Sequence, residues 1–150
     1  MIVTASLSDS EILSEIAVKS KAFWGYSDEQ IKSWTNELTV SKKMIQQLIV
    51  FKFISESKIV GFYILNQPKK SIIELEFLFV LPIFIGNGIG AKLLYHAFKT
   101  ASKLNAKTIT LLSDPNAVPF YKSKGFVIIN QKESSIAGRF LPVMQKYLRE

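Results

Sequence analysis

Between residues 72 and 104 the chain passes from an apolar strand through a glycine-rich turn straight into an amphipathic helix, and no other stretch constrains the fold as tightly. Residues 72–80 are dense in β-branched and aromatic side chains, the composition of a strand. Residues 82–88 turn the chain. From Ile89 on, apolar residues recur at helical spacing: Ile89, Leu93, Leu94, Ala97, Ala101 and Leu104. A helix that opens on Gly86, Gly88 and Gly90 presents backbone amides without internal partners, and its dipole favours negative charge there. Glycines remove the Cβ atoms that would keep an anion away from those amides. The same glycines also suit a tight turn with close packing of helix on sheet.

The rest of the chain supplies the layers around this passage. Asp9 is expected to cap a helix reaching Phe23, with Ile12, Leu13, Ile16, Ala17 and Val18 on its apolar side. Trp24-Gly25-Tyr26-Ser27 interrupts it, a second helix runs from Asp28 toward Leu38, and Ser41 caps a short third one to Gln47. Residues 48–54 and 59–65 read as a hairpin, and a third strand over 72–80 follows the turn at Gln67-Pro68-Lys69-Lys70. After the amphipathic helix come a strand at 107–112, a short helix at 116–123, and strands at 126–130 and 141–148. Helices, three strands, helix, strand, helix and two strands make a mixed α/β sheet in a single domain over 1–150, not a regular βαβ alternation.

Composition removes several chemistries. The 150 residues include no cysteine, which excludes disulfides, thiolate metal sites and a cysteine nucleophile. One histidine, His96, is too few for a multi-histidine metal site, and no metal is expected. His96 shares a helix face with Lys92, Lys99 and Lys103 and is expected in solvent. The net charge of +7 suits an anionic partner but equally a lysine-rich solvated surface. With no basic block, and only Arg139 and Arg149 as arginines, no nucleic-acid partner is expected. The N-terminus does not read as a signal peptide, and the longest apolar run, 72–85, is broken by Glu74, Glu76 and Pro82. A cytoplasmic location without membrane partners is the expectation.

Three phosphate-binding patterns compete for the glycine turn. A P-loop requires Gly-Lys-Ser/Thr, and the chain offers Gly90-Ala91-Lys92-Leu93. The dinucleotide pattern is met by Gly86, Gly88 and Ala91, but 106–112 holds no carboxylate for a ribose and no second βαβ half follows. The third match is fuller. Val80-Leu81-Pro82 followed by Ile85-Gly86-Asn87-Gly88-Ile89-Gly90-Ala91 resembles the pyrophosphate loop of the GNAT superfamily of acetyl-CoA-dependent N-acetyltransferases. It departs at Ile85, where that family carries Arg or Gln. Some thirty residues on, Asn116-Ala117-Val118-Pro119-Phe120-Tyr121-Lys122-Ser123-Lys124-Gly125-Phe126 is similar to a second family segment, with its Ala one place after the Asn in place of three. The resemblance implies a central mixed, mostly antiparallel sheet of about six to seven strands flanked by helices as an αβα sandwich. It also implies acetyl-CoA as co-substrate, an amine acceptor that is a small molecule, a peptide or a protein, and compatibility with a homodimer.

Acetyl transfer to an amine by direct attack in a ternary complex makes three demands. The ammonium, with a reference pKa of about 10.4, must lose a proton. An oxyanion needs a donor, and the thiolate, with a thiol pKa of roughly 8.5, must be reprotonated. Alternation along the strand puts Glu74 and Glu76 on one face, where burial together would raise their pKa values toward those of a working base. Pairing with Lys69 or Lys70 is the structural alternative. By resemblance Glu74 serves as base, Tyr121 as acid, and Asn116 bonds the pantetheine arm; otherwise Tyr121 packs beside Phe120 and Phe126, and Asn116 caps its helix. The resemblance further places Phe79 and Val80 at the cofactor, with the amide of Val80 receiving the thioester carbonyl. Trp24 and Tyr26, with Trp34, belong to the core or, as the resemblance implies, line an acceptor pocket, and Arg139 in the polar loop 134–142 binds an acceptor carboxylate or the cofactor, or is an exposed structural arginine. Two other functions fit parts of this pattern: a catalytically silent acyl-CoA-binding module, and a small dinucleotide-binding domain.

Overall fold

The computed structural model describes residues 1–134 and 139–148. Its strands are β1 (Ile2–Thr4), β2 (Ile49–Ser55), β3 (Lys58–Leu65), β4 (Ile72–Val80), β5 (Thr108–Leu112), β6 (Val127–Glu133) and β7 (Phe140–Tyr147). The helices are α1 (Ser10–Ala22), α2 (Asp28–Ser33), α3 (Thr35–Leu38), α4 (Lys42–Gln47), α5 (Ile89–Lys103) and α6 (Val118–Ser123). The seven strands form one sheet in the order β1-β2-β3-β4-β5-β7-β6. The ladders β1–β2, β2–β3, β5–β7 and β6–β7 are antiparallel; β4–β5, joined by α5, is parallel. One parallel crossover in a mostly antiparallel sheet is not the repeated βαβ winding that a dinucleotide-binding domain requires. Residues cluster into two compact units, Met1–Leu65 with Phe77–Ala97, and Asn66–Glu76 with the residues from Phe98 onward.

In the first unit α1 packs on β3 and buries Leu13, Ile16 and Ala17. From Val60 to Leu65 every residue of β3 is buried, as in a strand covered on both faces. Glu56 and Ser57, at φ +50° and +67°, make a two-residue turn from β2 to β3, with Ser55 paired to Lys58. Such turns match the twist of the flanking strands. Asp9 does not cap α1 as expected. Its carboxylate accepts from the Ser6 amide (2.8 Å) and hydroxyl (3.0 Å) and pairs with the Lys52 ammonium at 2.7 Å. The expected helix over 28–38 is two, α2 and α3, separated where Trp34 leaves helical geometry and buries its indole. The short strand β1 was not expected, because three residues carry too little periodicity to read.

The second unit begins with another left-handed pair, Lys70 and Ser71 at φ +49° and +67°, which turns the chain between Lys69 and Ile72. Ile73, Leu75, Ala101, Ile109, Leu111, Phe126 and Met144 form its core. β6 ends the sheet and runs to Glu133, beyond the expected 126–130, with an irregular register between Ile128 and Asn130. Among the described residues no helix is long and apolar enough to cross a membrane.

Candidate active site

The first unit carries the glycine turn. After β4, Leu81 donates its amide to Val60 O (2.8 Å), and Pro82–Phe84 forms one 3-10 turn. Gly86 and Gly88 lie at φ +94° and +79°, which L side chains rarely adopt. A Cβ at either would meet nothing within 4 Å, so the ground beside the loop is open to a ligand. The bond from Lys92 N to Gly88 O (3.0 Å) closes the first turn of α5 and leaves the amides of Ile89, Gly90 and Ala91 ahead of it, unpaired within the helix. Positive φ, an open approach and leading amides are what an anionic pyrophosphate needs. Ile85, 45% exposed, contributes an apolar side chain where a polar one would reach for phosphate.

Gly61 on β3 belongs to this arrangement although nothing in its sequence context marked it. A Cβ there would lie 3.0 Å from Phe79 O, 3.1 Å from Leu93 Cδ1 and 3.3 Å from Val80 Cγ2. The glycine thus lets the end of β4 and the first half of α5 close onto β3.

In the second unit Glu74 and Glu76 are neighbours on one face of β4, as alternation predicts, but both are exposed where burial was expected. Glu74 stands opposite Thr110 of β5, in a row with Gln145 of β7 and Val127 of β6. Its carboxyl is nonetheless raised above the usual carboxylate range. Partial desolvation by surrounding side chains is the main cause, followed by the charge of Glu76 and a hydrogen bond with it, while Lys132 and Lys69 pull the other way. The Asn66 side-chain Nδ2 donates to Glu76 Oε1 at 3.0 Å. Lysine compensation is therefore real but incomplete.

The same unit holds Asn116, Tyr121 and Arg139. Asp114, not Asn116, caps the 3-10 turn Pro115–Ala117: its Oδ1 accepts from the Asn116 amide (2.9 Å) and from Asn116 Nδ2 (3.0 Å). The other carboxylate oxygen of Asp114 faces Arg139 Nη2 at 3.7 Å, so Arg139 is engaged within the fold. Tyr121 is buried in edge contact with Phe120 and Phe126, and burial pushes its hydroxyl well above the ordinary phenol value. Such a phenol stays protonated at neutral pH. Residues 135–138 of the polar loop lie outside the described residues.

Near the N-terminus the aromatic residues divide. Trp34 is buried, and Tyr26 meets it edge-on at 4.9 Å with Lys21 Nζ over both rings. Trp24, 43% exposed, stands on the surface beside Phe23. His96 is not the solvated residue expected from its lysine neighbours. It is half-buried, its Nδ1 lies 2.8 Å from the Tyr63 hydroxyl, and its ring packs on Phe51 at 4.6 Å. Three residues beyond Leu93, it borders the apolar stripe of α5.

Comparison with known proteins gives a consistent answer. Residues 24–148 match the family model described as acetyltransferase (GNAT) domain. No curated protein sequence matches the chain. Among solved structures, the PaiA N-acetyltransferase of Thermoplasma acidophilum in complex with coenzyme A is 25% identical, with 98% of each chain covered and a TM-score of 0.82. The ribosomal-protein-S18-alanine N-acetyltransferase of Escherichia coli is 18% identical over 100% of this chain and 94% of its own, at TM-score 0.74. An aminoglycoside 6'-N-acetyltransferase complexed with coenzyme A is 16% identical over 100% and 98%, at 0.75. The last two are likenesses of fold.

Proposed function

The chain belongs to the family of GNAT acetyltransferase domains, and from that premise we propose that it transfers the acetyl group of acetyl-CoA to a primary amine by direct attack in a ternary complex. The observation that carries the reading is the loop at Gly86–Gly88, with left-handed glycines, open ground beside them and the leading amides of α5. Bound acetyl-CoA would supply the activated acetyl group. Residues 85–91 hold its pyrophosphate, Phe79 and Val80 flank the thioester, and Asn116 meets the pantetheine arm. Glu74, with its raised carboxyl, takes the proton of the acceptor ammonium, and Glu76 tunes it. Tyr121, kept protonated by burial, serves as the acid by donating its hydroxyl in a hydrogen bond to the departing sulfur. Trp24 and Tyr26 border the acceptor, which is a small amine or a peptide or protein amine, as the names of the two more distant relatives illustrate. We assign the activity to the cytoplasm and allow a homodimer.

Isothermal titration with acetyl-CoA, CoA and NAD in parallel tests the cofactor. Micromolar binding of both CoA forms, no NAD binding, and loss of affinity in Gly88→Val with an unchanged circular dichroism spectrum support the reading. Absence of CoA binding by the native chain sinks it. A silent acyl-CoA-binding module would bind acetyl-CoA yet turn over no amine in an acceptor screen. The enzyme instead loses turnover in Glu74→Gln and Tyr121→Phe while keeping its CoA affinity.

A further inference from the structure

At the other end of α5 from the glycine loop, and wholly within the second unit, lies an open surface hollow of about 440 Å³ lined by Phe98, Lys99, Ser102, Lys103, Lys146 and Leu148. None of these residues takes part in the proposed transfer. The volume is that of an ordinary small-molecule site. Phe98 and Leu148 give it apolar surface, and the Lys146 ammonium stands 5.6 Å from the centre of the Phe98 ring. Lys99 and Lys103, four residues apart, share a face of α5. Three lysines and a serine therefore line a partly apolar hollow, and no carboxylate lines it among the described residues. Among the described residues no carboxylate pairs with any of the three lysines. The carbonyl end of α5 accounts for attraction of Lys103 to the last turn. It does not account for Lys146, which β7 brings to the same place.

We infer that this open hollow binds a small organic anion with an apolar body, an aromatic or short acyl group bearing a carboxylate, sulfonate or phosphate. The apolar part rests on Phe98 and Leu148, and the charged end meets the lysines and the Ser102 hydroxyl. Attraction between the anion and the lysines is screened by salt, so affinity should fall as salt rises.

Titration of the ¹⁵N-labelled full chain with phenyl phosphate, followed by amide chemical shifts, tests this directly. Saturable shifts at residues 98–103 and 146–148 are expected, with a dissociation constant below 1 mM (an affinity of more than about 4 kcal/mol). Lys99→Glu/Lys146→Glu should weaken binding at least tenfold, and Ser102→Glu provides a second variant with neither lysine changed should the double variant fail to fold. Inorganic phosphate, which lacks the apolar body, and cyclohexanol, which lacks the charge, should each bind at least tenfold more weakly. No shifts at these amides up to 10 mM phenyl phosphate, or equal binding by either control, would overturn the inference.

Discussion

At the scale of single residues the most consequential feature is the unequal treatment of two adjacent carboxylates. Glu74 is raised by partial desolvation and by Glu76, so it gives up its proton later than a free glutamate would. As a base it must be ionised, so turnover should climb with pH through that raised value. Glu76→Gln removes the like charge and should move the acid limb of the kcat/KM profile toward lower pH. An unmoved limb would assign it to another group. The sign for stability is opposite. A carboxyl raised on folding contributes stability below its unfolded pKa and loses it as pH rises through the folded value. Glu74→Gln should therefore leave the melting temperature at pH 8 unchanged or higher by no more than about 2 °C, because exposure screens the effect. A melting temperature several degrees lower would mean that Glu74 holds the fold together. Strand alternation made the pairing of these two residues legible. Their exposure was not legible, because it depends on what β5, β6 and β7 leave open beside them.

Among the elements, the glycine turn and α5 behave as the chain's own pattern predicts, since strand, glycine spacing and helical periodicity are all local signals. Gly61 was invisible for the converse reason. Its role arises from the approach of β4 and α5, segments about twenty and thirty residues away. Gly61→Ala adds one methyl where the Phe79 carbonyl stands at 3.0 Å, and should cost about 1–3 kcal/mol of unfolding free energy by urea denaturation. It should also weaken CoA binding, since the end of β4 must shift. Wild-type stability in that variant would show that β3 yields easily. His96 departs from its sequence expectation for a related reason. Its lysine neighbours along the helix suggested solvent, whereas Tyr63, thirty-three residues away, gives the imidazole a buried partner.

Across the whole molecule, stability toward acid should depend on Asp9. Burial alone pushes its carboxyl up. The Lys52 ammonium and the Ser6 amide and hydroxyl outweigh that and hold it below the usual carboxylate value. A carboxyl lowered on folding contributes stability above its unfolded pKa and loses it as pH falls through the folded value. Asp9→Asn should thus cost about 1–3 kcal/mol at pH 7 and progressively less below pH 4, as read by urea melts. An equal cost at both ends would make the contribution one of shape alone. The element order was largely readable in advance because most elements follow their own periodicity; β1 and the break at Trp34 were not, being imposed by β2 and by the core. The two tight turns point toward engineering. Glu56-Ser57 and Lys70-Ser71 hold four side-chain-bearing residues at left-handed φ, where asparagine and glycine sit with less strain. Glu56→Asn with Ser57→Gly should raise the unfolding free energy by about 1 kcal/mol without touching any residue assigned to acetyl transfer. A gain of that size is mutational headroom: a directed-evolution campaign on the acceptor preference could start from the reinforced hairpin and tolerate substitutions that would unfold the natural chain.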